Sequence, residues 1–168
     1  YIESYLKRFP GYYDCGDSGY IDDEGYVFVM SRTDDVINVA GHRLSTGQME
    51  EILQGHNAIA ECCVVGVNDP IKGMLPVGLI VVNNGIDNSA LDQIPEDCVN
   101  LVRKEVGPVA AFKTCIIVPA LPKTRSGKII RKTIKAILDG DSNPPVPPTI
   151  DNLDVLDHIY SVAALLKK

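Results

Sequence analysis

A lysine that directly follows a glycine is the residue in this sequence best suited to bind an anion. Lys128 ends the polar segment Thr124-Arg125-Ser126-Gly127-Lys128, close to the start of a helix that the apolar spacing predicts over 126–138. Backbone amides and the positive end of a helix attract phosphate at such a position. The segment is not a P-loop, because Pro122 stands where that motif requires a glycine and Ile129 where it requires a metal-binding hydroxyl.

Basic side chains are concentrated around this lysine. Residues 101–138 hold nine basic and one acidic side chain, whereas residues 1–100 hold five basic and 16 acidic ones. The whole chain has a net charge of −6, which argues against a general nucleic-acid binder. The block calls for an anionic partner, but a solvated basic face would have the same composition. The side chains that would form such a face are Lys123, Arg125, Arg131 and Lys132.

Two arginines outside that block could contact a nucleotide. Arg32 follows a predicted hairpin, and Arg43 follows Gly41-His42 after a short predicted strand. A guanidinium can bind phosphate or ribose oxygens through two hydrogen bonds. The same arginines could equally form ordinary surface ion pairs with Asp34 and Asp35.

Asp17 lies in Gly16-Asp17-Ser18-Gly19, a string also found around the nucleophile of chymotrypsin-type serine proteases. We reject a protease because Tyr20 follows where a second glycine is needed and no histidine or aspartate completes a triad. From the residues alone, Asp17 is a candidate turn-forming aspartate.

The remaining classes of protein are limited by the cysteines, the histidines and the start of the chain. Five cysteines without a C-x-x-C spacing predict reduced, mostly buried thiols of an intracellular protein, and no zinc-ligand spacing is present. No run approaches the ~18 apolar residues of a membrane span. The chain begins with Tyr1 and carries no targeting pattern, so we expect it to be a piece of a longer protein.

The predicted elements form an α+β domain in which a β-hairpin precedes a three-stranded sheet flanked by helices. The hairpin pairs 20–21 with 26–30 around Gly25, and 36–39 could be a further short strand. Core strands are predicted at 59–67, 77–82 and 113–118. Helices are predicted over about 46–53, with Ser45 and Gln48 as a capping box, and over 90–106. Residues 1–19 are predicted to be irregular.

The last 28 residues differ in character from the rest. Asn143-Pro144-Pro145-Val146-Pro147-Pro148 predicts a stiff extended linker, and 151–168 predicts an amphipathic helix. The Pro-rich segment could also serve as an SH3-type ligand, although a spacer is the simpler interpretation. The residues predicted to share one side of the helix are Leu153, Leu156, Tyr160, Ala163 and Leu166.

Three segments together resemble one family. Y-x-x-G-D (13–17), R-x-D-D-V-I-N-V-A-G-H-R-L (32–44) and L-P-K-T-R-S-G-K (121–128) occur in the order seen in the AMP-forming acyl-CoA synthetases of the adenylate-forming superfamily. The Gly-His-Arg-Leu form looks like the acetyl-/propionyl-CoA synthetase branch. Within that branch, Val39-Ala40-Gly41 followed by Ser45-Thr46 looks closest to the propionyl type. This resemblance implies the fold of the small C-terminal domain of these enzymes. It also implies three parts: 1–33 as the end of the large N-terminal domain with the linking hairpin, 34–140 as the mobile C-terminal domain, and 141–168 as a Pro-rich linker and helix.

The resemblance also implies a role for each site residue. Lys128 matches the catalytic lysine. Asp17, Arg32 and Arg43 match nucleotide-binding positions, with Asp17 on the ribose hydroxyls. The remaining matches are Asp34 for the hinge about which the domain rotates, and Gly41 and Arg103 for the coenzyme A site.

The implied reaction joins a short-chain carboxylate to coenzyme A. ATP first gives an acyl-adenylate and pyrophosphate, and CoA then takes the acyl group and releases AMP. ATP and CoA are the implied substrates. Mg²⁺ comes with ATP and is held mainly by the missing large domain, which is itself an implied partner. We expect no metal site, no nucleic-acid partner and no membrane span in this chain. We expect the fragment alone to be inactive and the parent to reside in the mitochondrial matrix. A non-catalytic adenylate-binding or regulatory module of the same fold is the alternative.

Overall fold

The computed structural model describes residues 1–33 and 35–166, which form two compact units, Tyr1–Val36 and Ile37–Lys168. The first unit contains the short helix α1 (Ile2–Tyr5) and an antiparallel hairpin of β1 (Asp17–Ile21) and β2 (Val27–Arg32). The hairpin is as predicted. The prediction of irregular structure over 1–19 was wrong at α1 and at the start of β1.

The larger unit is built around two long antiparallel strands, β5 (Ile59–Asp69) and β6 (Gly73–Val82). With β3 (Val36–Val39), β4 (His42–Ser45) and β7 (Thr114–Ile117) they form a mixed sheet in the order β4-β3-β6-β5, and β7 runs parallel to β6. The predicted α+β class is therefore confirmed. The described sheet has five strands, two short ones more than the predicted three.

Strand β6 begins four residues earlier than predicted, on the far side of Pro76. Proline cannot donate to a ladder and is confined to unpaired edges of strands. Pro76 lies between Gly73, which pairs with β3, and Val77, the first residue paired with β7. The missing N–H therefore falls at a gap between two partner strands.

Helices cover both faces of the sheet. One apolar cluster joins the sheet to α2 (Thr46–Gln54) and α4 (Ile94–Glu105), and a second joins it to α5 (Arg131–Asp139) and α6 (Val155–Leu166). Because alternate residues of a strand point to opposite faces, β5 contributes to both. Cys62 and Val64 lie in the first cluster, and Cys63 and Val65 lie in the second.

Helix boundaries follow local capping where a cap exists. The Ser45 side chain accepts the Gln48 N–H at 3.3 Å, and α2 begins and ends within one residue of the prediction. The single helix predicted over 90–106 is instead α3 (Asn88–Leu91) followed by α4. Pro95 lies in the first turn of α4, where proline is tolerated, and marks a new start.

The helix predicted from Ser126 begins five residues later, at Arg131. Residues 124–128 form a turn instead, so Lys128 is on a loop that precedes α5. In α6 the buried residues are Leu156, Ile159, Val162 and Ala163. The predicted apolar side was thus partly wrong, since Leu153 and Tyr160 are 59% and 41% exposed.

Candidate functional site

Lys128 ends a tight turn that three hydrogen bonds hold in place. The Gly127 N–H donates to the Thr124 carbonyl at 2.8 Å, and the Thr124 N–H donates to the Lys128 carbonyl at 2.8 Å. The Lys128 N–H donates to Thr124 Oγ1 at 3.2 Å. Gly127 has φ +81°, a left-handed conformation that favours glycine in a three-residue hairpin loop. The turn therefore fixes the Lys128 backbone while its side chain remains exposed.

The basic block divides into paired and available cations. Four of its side chains form ion pairs with carboxylates: Lys123 with Glu61 at 2.5 Å, Arg131 with Glu50 at 2.7 Å, Lys135 with Asp139 at 2.7 Å, and the exposed Lys104 with its neighbour Glu105 at 3.5 Å. Within the described part of the chain, the side-chain nitrogens of Arg103, Lys113, Arg125 and Lys128 form neither an ion pair nor a hydrogen bond. Lys128 and its neighbour Arg125 are thus free to meet an anion.

A partly buried ion pair fixes the start of α5 beside this loop. Arg131 donates to Glu50 through Nη2 at 2.7 Å and through Nε at 3.3 Å. Glu50 also accepts the Val64 N–H of the edge strand β5 at 2.8 Å. The Arg131 and Glu50 side chains are 30% and 15% exposed. This pair is not predictable from the sequence, because its members lie 81 residues apart and no local pattern connects them.

Gly41 and Arg43 lie together where β3 turns into β4. Ala40 and Gly41 have φ +49° and +89°, as the two central residues of a type I′ hairpin require. The Ala40 N–H donates to the Lys72 carbonyl at 2.8 Å, which ties this turn to the start of β6. A Cβ built at Gly41 has no atom within 4 Å, so the backbone there borders open space. Arg43 is exposed on β4, and its side chain forms no hydrogen bond or ion pair with other described residues.

Arg103 lies on the exposed side of α4, in the helix layer opposite the one that Lys128 precedes. Val102, next to it, is fully buried in the first cluster, whereas Ile129 and Ile130, which follow Lys128, pack on the second. The helix that carries Arg103 therefore packs on the first cluster, whereas the chain that follows Lys128 packs on the second.

Asp17 and Arg32 are brought together in the first unit. They are opposite one another in the hairpin register, and Arg32 Nη1 lies 3.4 Å from Asp17 Oδ1. Arg32 Nη1 also donates to the Cys15 carbonyl at 2.9 Å. The carboxylate and the guanidinium are exposed and share one edge of the hairpin. Asp34, predicted as the hinge, lies outside the described residues.

The thiols and acids offer no further reactive centre among the described residues. Cys62, Cys63, Cys98 and Cys115 are buried and Cys15 is exposed, and none of the five forms a disulfide. Burial raises the pKa of the Cys62 thiol to about 12, and a hydrogen bond to Cys98 raises the pKa of Cys115. No group of three or more His, Cys, Asp or Glu in the described part could hold a metal ion, so we assign no magnesium ligand.

A cleft of about 470 Å³ opens at the end of β6 and the start of β5. It contains the Glu61–Lys123 ion pair and Asp151. None of the predicted site residues lines it. No helix within 1–33 and 35–166 has the length and apolar character that crossing a membrane would require.

The part of the larger unit that ends at the lysine loop is similar to a known family. Residues 48–128 match the family described as "AMP-binding enzyme C-terminal domain". Residues 48–128 belong to this family. The predicted resemblance and fold class are thereby confirmed. The matched segment ends at Lys128.

Individual relatives give the comparison its detail. The chain is 49% identical over 158 residues to "Acyl-CoA synthetase short-chain family member 3, mitochondrial" of Mus musculus. The alignment covers 94% of this chain and 23% of that protein. The chain is 40% identical over 174 aligned positions to "Acetyl-coenzyme A synthetase 2" of Debaryomyces hansenii, covering 99% of this chain and 25% of that protein. The solved structure of acetoacetyl-CoA synthetase from Streptomyces lividans superposes with a TM-score of 0.76 at 26% identity, covering 99% of this chain and 25% of that one.

The chain thus spans about a quarter of the length of these relatives. The relatives include a protein named as mitochondrial and a bacterial one. The similarity therefore does not select the mitochondrial matrix that the sequence analysis expects.

Proposed function

We propose that this chain is the C-terminal part of a short-chain acyl-CoA synthetase of the AMP-forming type. The enzyme would convert an acetate- or propionate-like carboxylate and ATP into an acyl-adenylate and pyrophosphate. It would then transfer the acyl group to the thiol of CoA and release AMP. The observation that carries the proposal is the Lys128 loop: its backbone is fixed by three hydrogen bonds, while its ammonium has no partner among the described residues.

Lys128 supplies the cation that adenylation requires. In that step a carboxylate attacks the α-phosphate of ATP, so two anions approach and charge accumulates on the oxygens in line. A preorganised cation directed at that charge lowers the barrier, and removal of one such group typically costs about 10²–10³ in rate. The neighbouring cations Lys123 and Arg131 cannot substitute easily, because each is already paired with a carboxylate.

Asp17, Arg32 and Arg43 bind the nucleotide in this proposal. An ionised carboxylate only accepts hydrogen bonds and can take both ribose hydroxyls at once. Arg32, hydrogen-bonded to Cys15 and close to Asp17, orients that carboxylate and lies near the same ribose. Arg43 carries an unpaired guanidinium, which suits a phosphate.

Gly41 and Arg103 serve the second half-reaction. Gly41 leaves its surroundings open, as a channel for the pantetheine arm needs, and a left-handed φ excludes most side chains there. Arg103 has a free guanidinium for the CoA phosphates. Its position in the helix layer opposite the one that Lys128 precedes supports a domain that presents one side for adenylation and another for thioester formation, turning about Asp34.

In this proposal residues 1–33 end the large domain, 34–140 form the mobile domain and 141–168 form the tail. Since the chain spans about a quarter of its relatives, the large domain would supply the acyl pocket, and the fragment alone would not turn over. Mg²⁺ would enter with ATP and bind mainly in that large domain. The mouse relative is named for short chains and the Debaryomyces relative for acetate, and the propionyl-type resemblance of the sequence adds propionate as the second candidate substrate.

A panel of carboxylates tests the proposal. The full-length protein is assayed for AMP release with ATP, Mg²⁺ and CoA across chain lengths from acetate to octanoate. We expect release with acetate or propionate and little with long chains. Lys128→Ala should abolish release, whereas Lys113→Ala, which removes an equally exposed and unpaired cation of the same block, should leave it unchanged. Nucleotide binding without AMP release from any carboxylate would instead support a non-catalytic adenylate-binding module.

A further inference from the structure

The strand that leads into the Lys128 loop is hydrogen-bonded on both of its edges. Residues 122–125 pair on one side with the returning strand, where the Ile130 N–H donates to the Pro122 carbonyl at 3.1 Å and the Thr124 N–H donates to the Lys128 carbonyl. On the other side they pair with 149–151. There the Arg125 N–H donates to the Thr149 carbonyl, and the Asp151 N–H to the Lys123 carbonyl, both at 2.9 Å.

The segment 149–151 belongs to the C-terminal tail, for which the sequence predicts a stiff linker at 143–148 and a helix over 151–168. The tail is instead anchored along its length. The Thr133 hydroxyl of α5 donates to the Pro145 carbonyl at 2.5 Å, and Ile150 is 91% buried in the second apolar cluster. In α6, Ile159 is fully buried in the same cluster. The tail is therefore part of the second core and reaches the lysine loop from there.

We propose that Thr149–Asp151, held by Ile150, is a positioning strand that keeps the Lys128 loop in the geometry needed for adenylation. None of these tail residues touches the reacting atoms in this account; they act through the backbone of 123–125. The inference rests on the role proposed above for Lys128, and it gives the Pro-rich tail a function in that half-reaction.

The physical reason is the sensitivity of catalysis to position. A misplacement of about 1 Å can cost 10²-fold in rate. The Lys128 loop is exposed and contains Gly127, so its own three hydrogen bonds must compete with water. Two further backbone hydrogen bonds from 149–151, attached to a buried side chain, restrict the loop from its outer edge. Thioester formation does not use Lys128 and should not depend on this restraint.

Two matched substitutions separate positioning from stability. Ile150→Ala and Ile159→Ala remove the same atoms from the same apolar cluster, but only Ile150 lies in the segment bonded to the loop. Hydrogen exchange on the full chain reports the loop directly. We expect the Arg125 amide to exchange about five- to tenfold faster in Ile150→Ala than in Ile159→Ala, as loss of about one net hydrogen bond implies. Equal exchange in the two variants would overturn the proposal, whatever the enzyme's activity.

The full-length protein then tests the catalytic consequence. The ratio of carboxylate-dependent ATP–pyrophosphate exchange to CoA acylation from supplied acyl-adenylate should fall about tenfold in Ile150→Ala and stay at the wild-type value in Ile159→Ala. If hydrogen exchange at the Arg125 amide is faster in Ile150→Ala but the ratio of the two half-reaction rates is unchanged, the positioning role is overturned. A wild-type protein that forms no acyl-adenylate would refute the proposed function. The hydrogen-exchange comparison would still report whether 149–151 restrains the loop.

A backbone substitution addresses the hydrogen bond itself. Asp151→Pro deletes the N–H that donates to the Lys123 carbonyl. Leu153→Pro is the control, because the Leu153 N–H makes no hydrogen bond within the described residues and its side chain is 59% exposed. We expect the hydrogen-exchange rate of the Arg125 amide and the ratio of the two half-reaction rates to change in Asp151→Pro and to stay at the wild-type values in Leu153→Pro. Identical changes in both variants would count against the proposal.

Discussion

Replacing Arg131 with alanine should destabilise the protein more than any surface ion pair would. The guanidinium binds Glu50 through two nitrogens, at 2.7 and 3.3 Å. The Glu50 carboxylate, only 15% exposed, also accepts the Val64 N–H from the free edge of β5. Removing Arg131 therefore leaves a largely buried carboxylate with one fewer partner and loosens the first turn of α5 from the sheet.

The magnitude follows from the burial of the two partners. Exposed ion pairs contribute about 0–1 kcal/mol, whereas removal of one member of a fully buried pair costs about 3–5 kcal/mol. With side chains 30% and 15% exposed, this pair lies between those limits, and we expect a loss of about 2 kcal/mol. For a chain of 168 residues this corresponds to a Tm lower by about 4–8 °C.

The assay is thermal and denaturant unfolding of four proteins: wild type, Arg131→Ala, Glu50→Gln and the double variant. Glu50→Gln retains an acceptor for Val64 and removes only the charge, so the cycle isolates the pairwise energy from the other contacts of Arg131. Lys104→Ala is the control, because its pair with Glu105 is 3.5 Å long and the lysine is 79% exposed. That control should change stability by no more than about 0.5 kcal/mol.

Two results would refute this reasoning. One is a loss in Arg131→Ala no larger than that in Lys104→Ala. The other is a coupling energy between Arg131 and Glu50 within about 0.3 kcal/mol of zero, the level at which independent sites add. Either would mean that the hydrogen bond to Val64, rather than the ion pair, secures this edge of the sheet.

The remaining predictions concern CoA, the β3–β4 turn and acid stability. Arg103→Ala should raise the KM for CoA with little change in ATP–pyrophosphate exchange; an unchanged KM in steady-state assays would contradict its assignment. Gly41→Ala should cost about 1 kcal/mol, because its φ of +89° is left-handed, and should slow thioester formation; an unchanged Tm would speak against it. The N–H groups of Lys72 and Ile71 lower the pKa of Asp69 from 3.8, so its contribution to stability is present above that pH and is lost as the pH falls through the lowered pKa. The Tm difference between wild type and Asp69→Asn should therefore shrink from about pH 6 to about pH 3, and a constant difference would exclude this cause.

The elements that the sequence predicts correctly have local causes. The Ser45 cap and the β-branched runs of β5 and β6 are decided by neighbouring residues, and the structure shows them where expected. Strand β4 was not predicted because its turn has Ala40 at a position with φ +49°, where Asn or Gly is the usual signal. Because alanine is not a typical residue at this position, the sequence does not indicate the type I′ turn that Ala40 and Gly41 form.

Other differences arise from contacts between distant parts of the chain. Apolar spacing alone extends α5 back to Ser126, but the left-handed Gly127 and the pairing of 122–125 with 149–151 hold 124–128 in a turn. The side of α6 that is buried is set by packing on α5 and the sheet, which selects Ile159 over Tyr160. Such choices depend on residues far away in sequence.

The candidate site shows the same division. Motif order predicts Lys128, Arg43 and Arg103, and the structure shows all three exposed and unpaired within the described residues, while their roles stay predictions. Charge and spacing alone, without the motifs, could not distinguish these cations from Lys123 or Arg131. Only the fold reveals that those two are held by carboxylates on β5 and α2.

The most direct test of the central claim is the partition of the two half-reactions in Lys128→Ala. Carboxylate-dependent ATP–pyrophosphate exchange and acyl transfer to CoA from supplied acyl-adenylate are measured side by side on the full-length protein. If Lys128 stabilises the charge that develops in adenylation, exchange should fall by about 10²–10³ while acyl transfer stays within a few fold of wild type. An equal loss in both half-reactions, or an exchange rate that survives the substitution, would contradict the account.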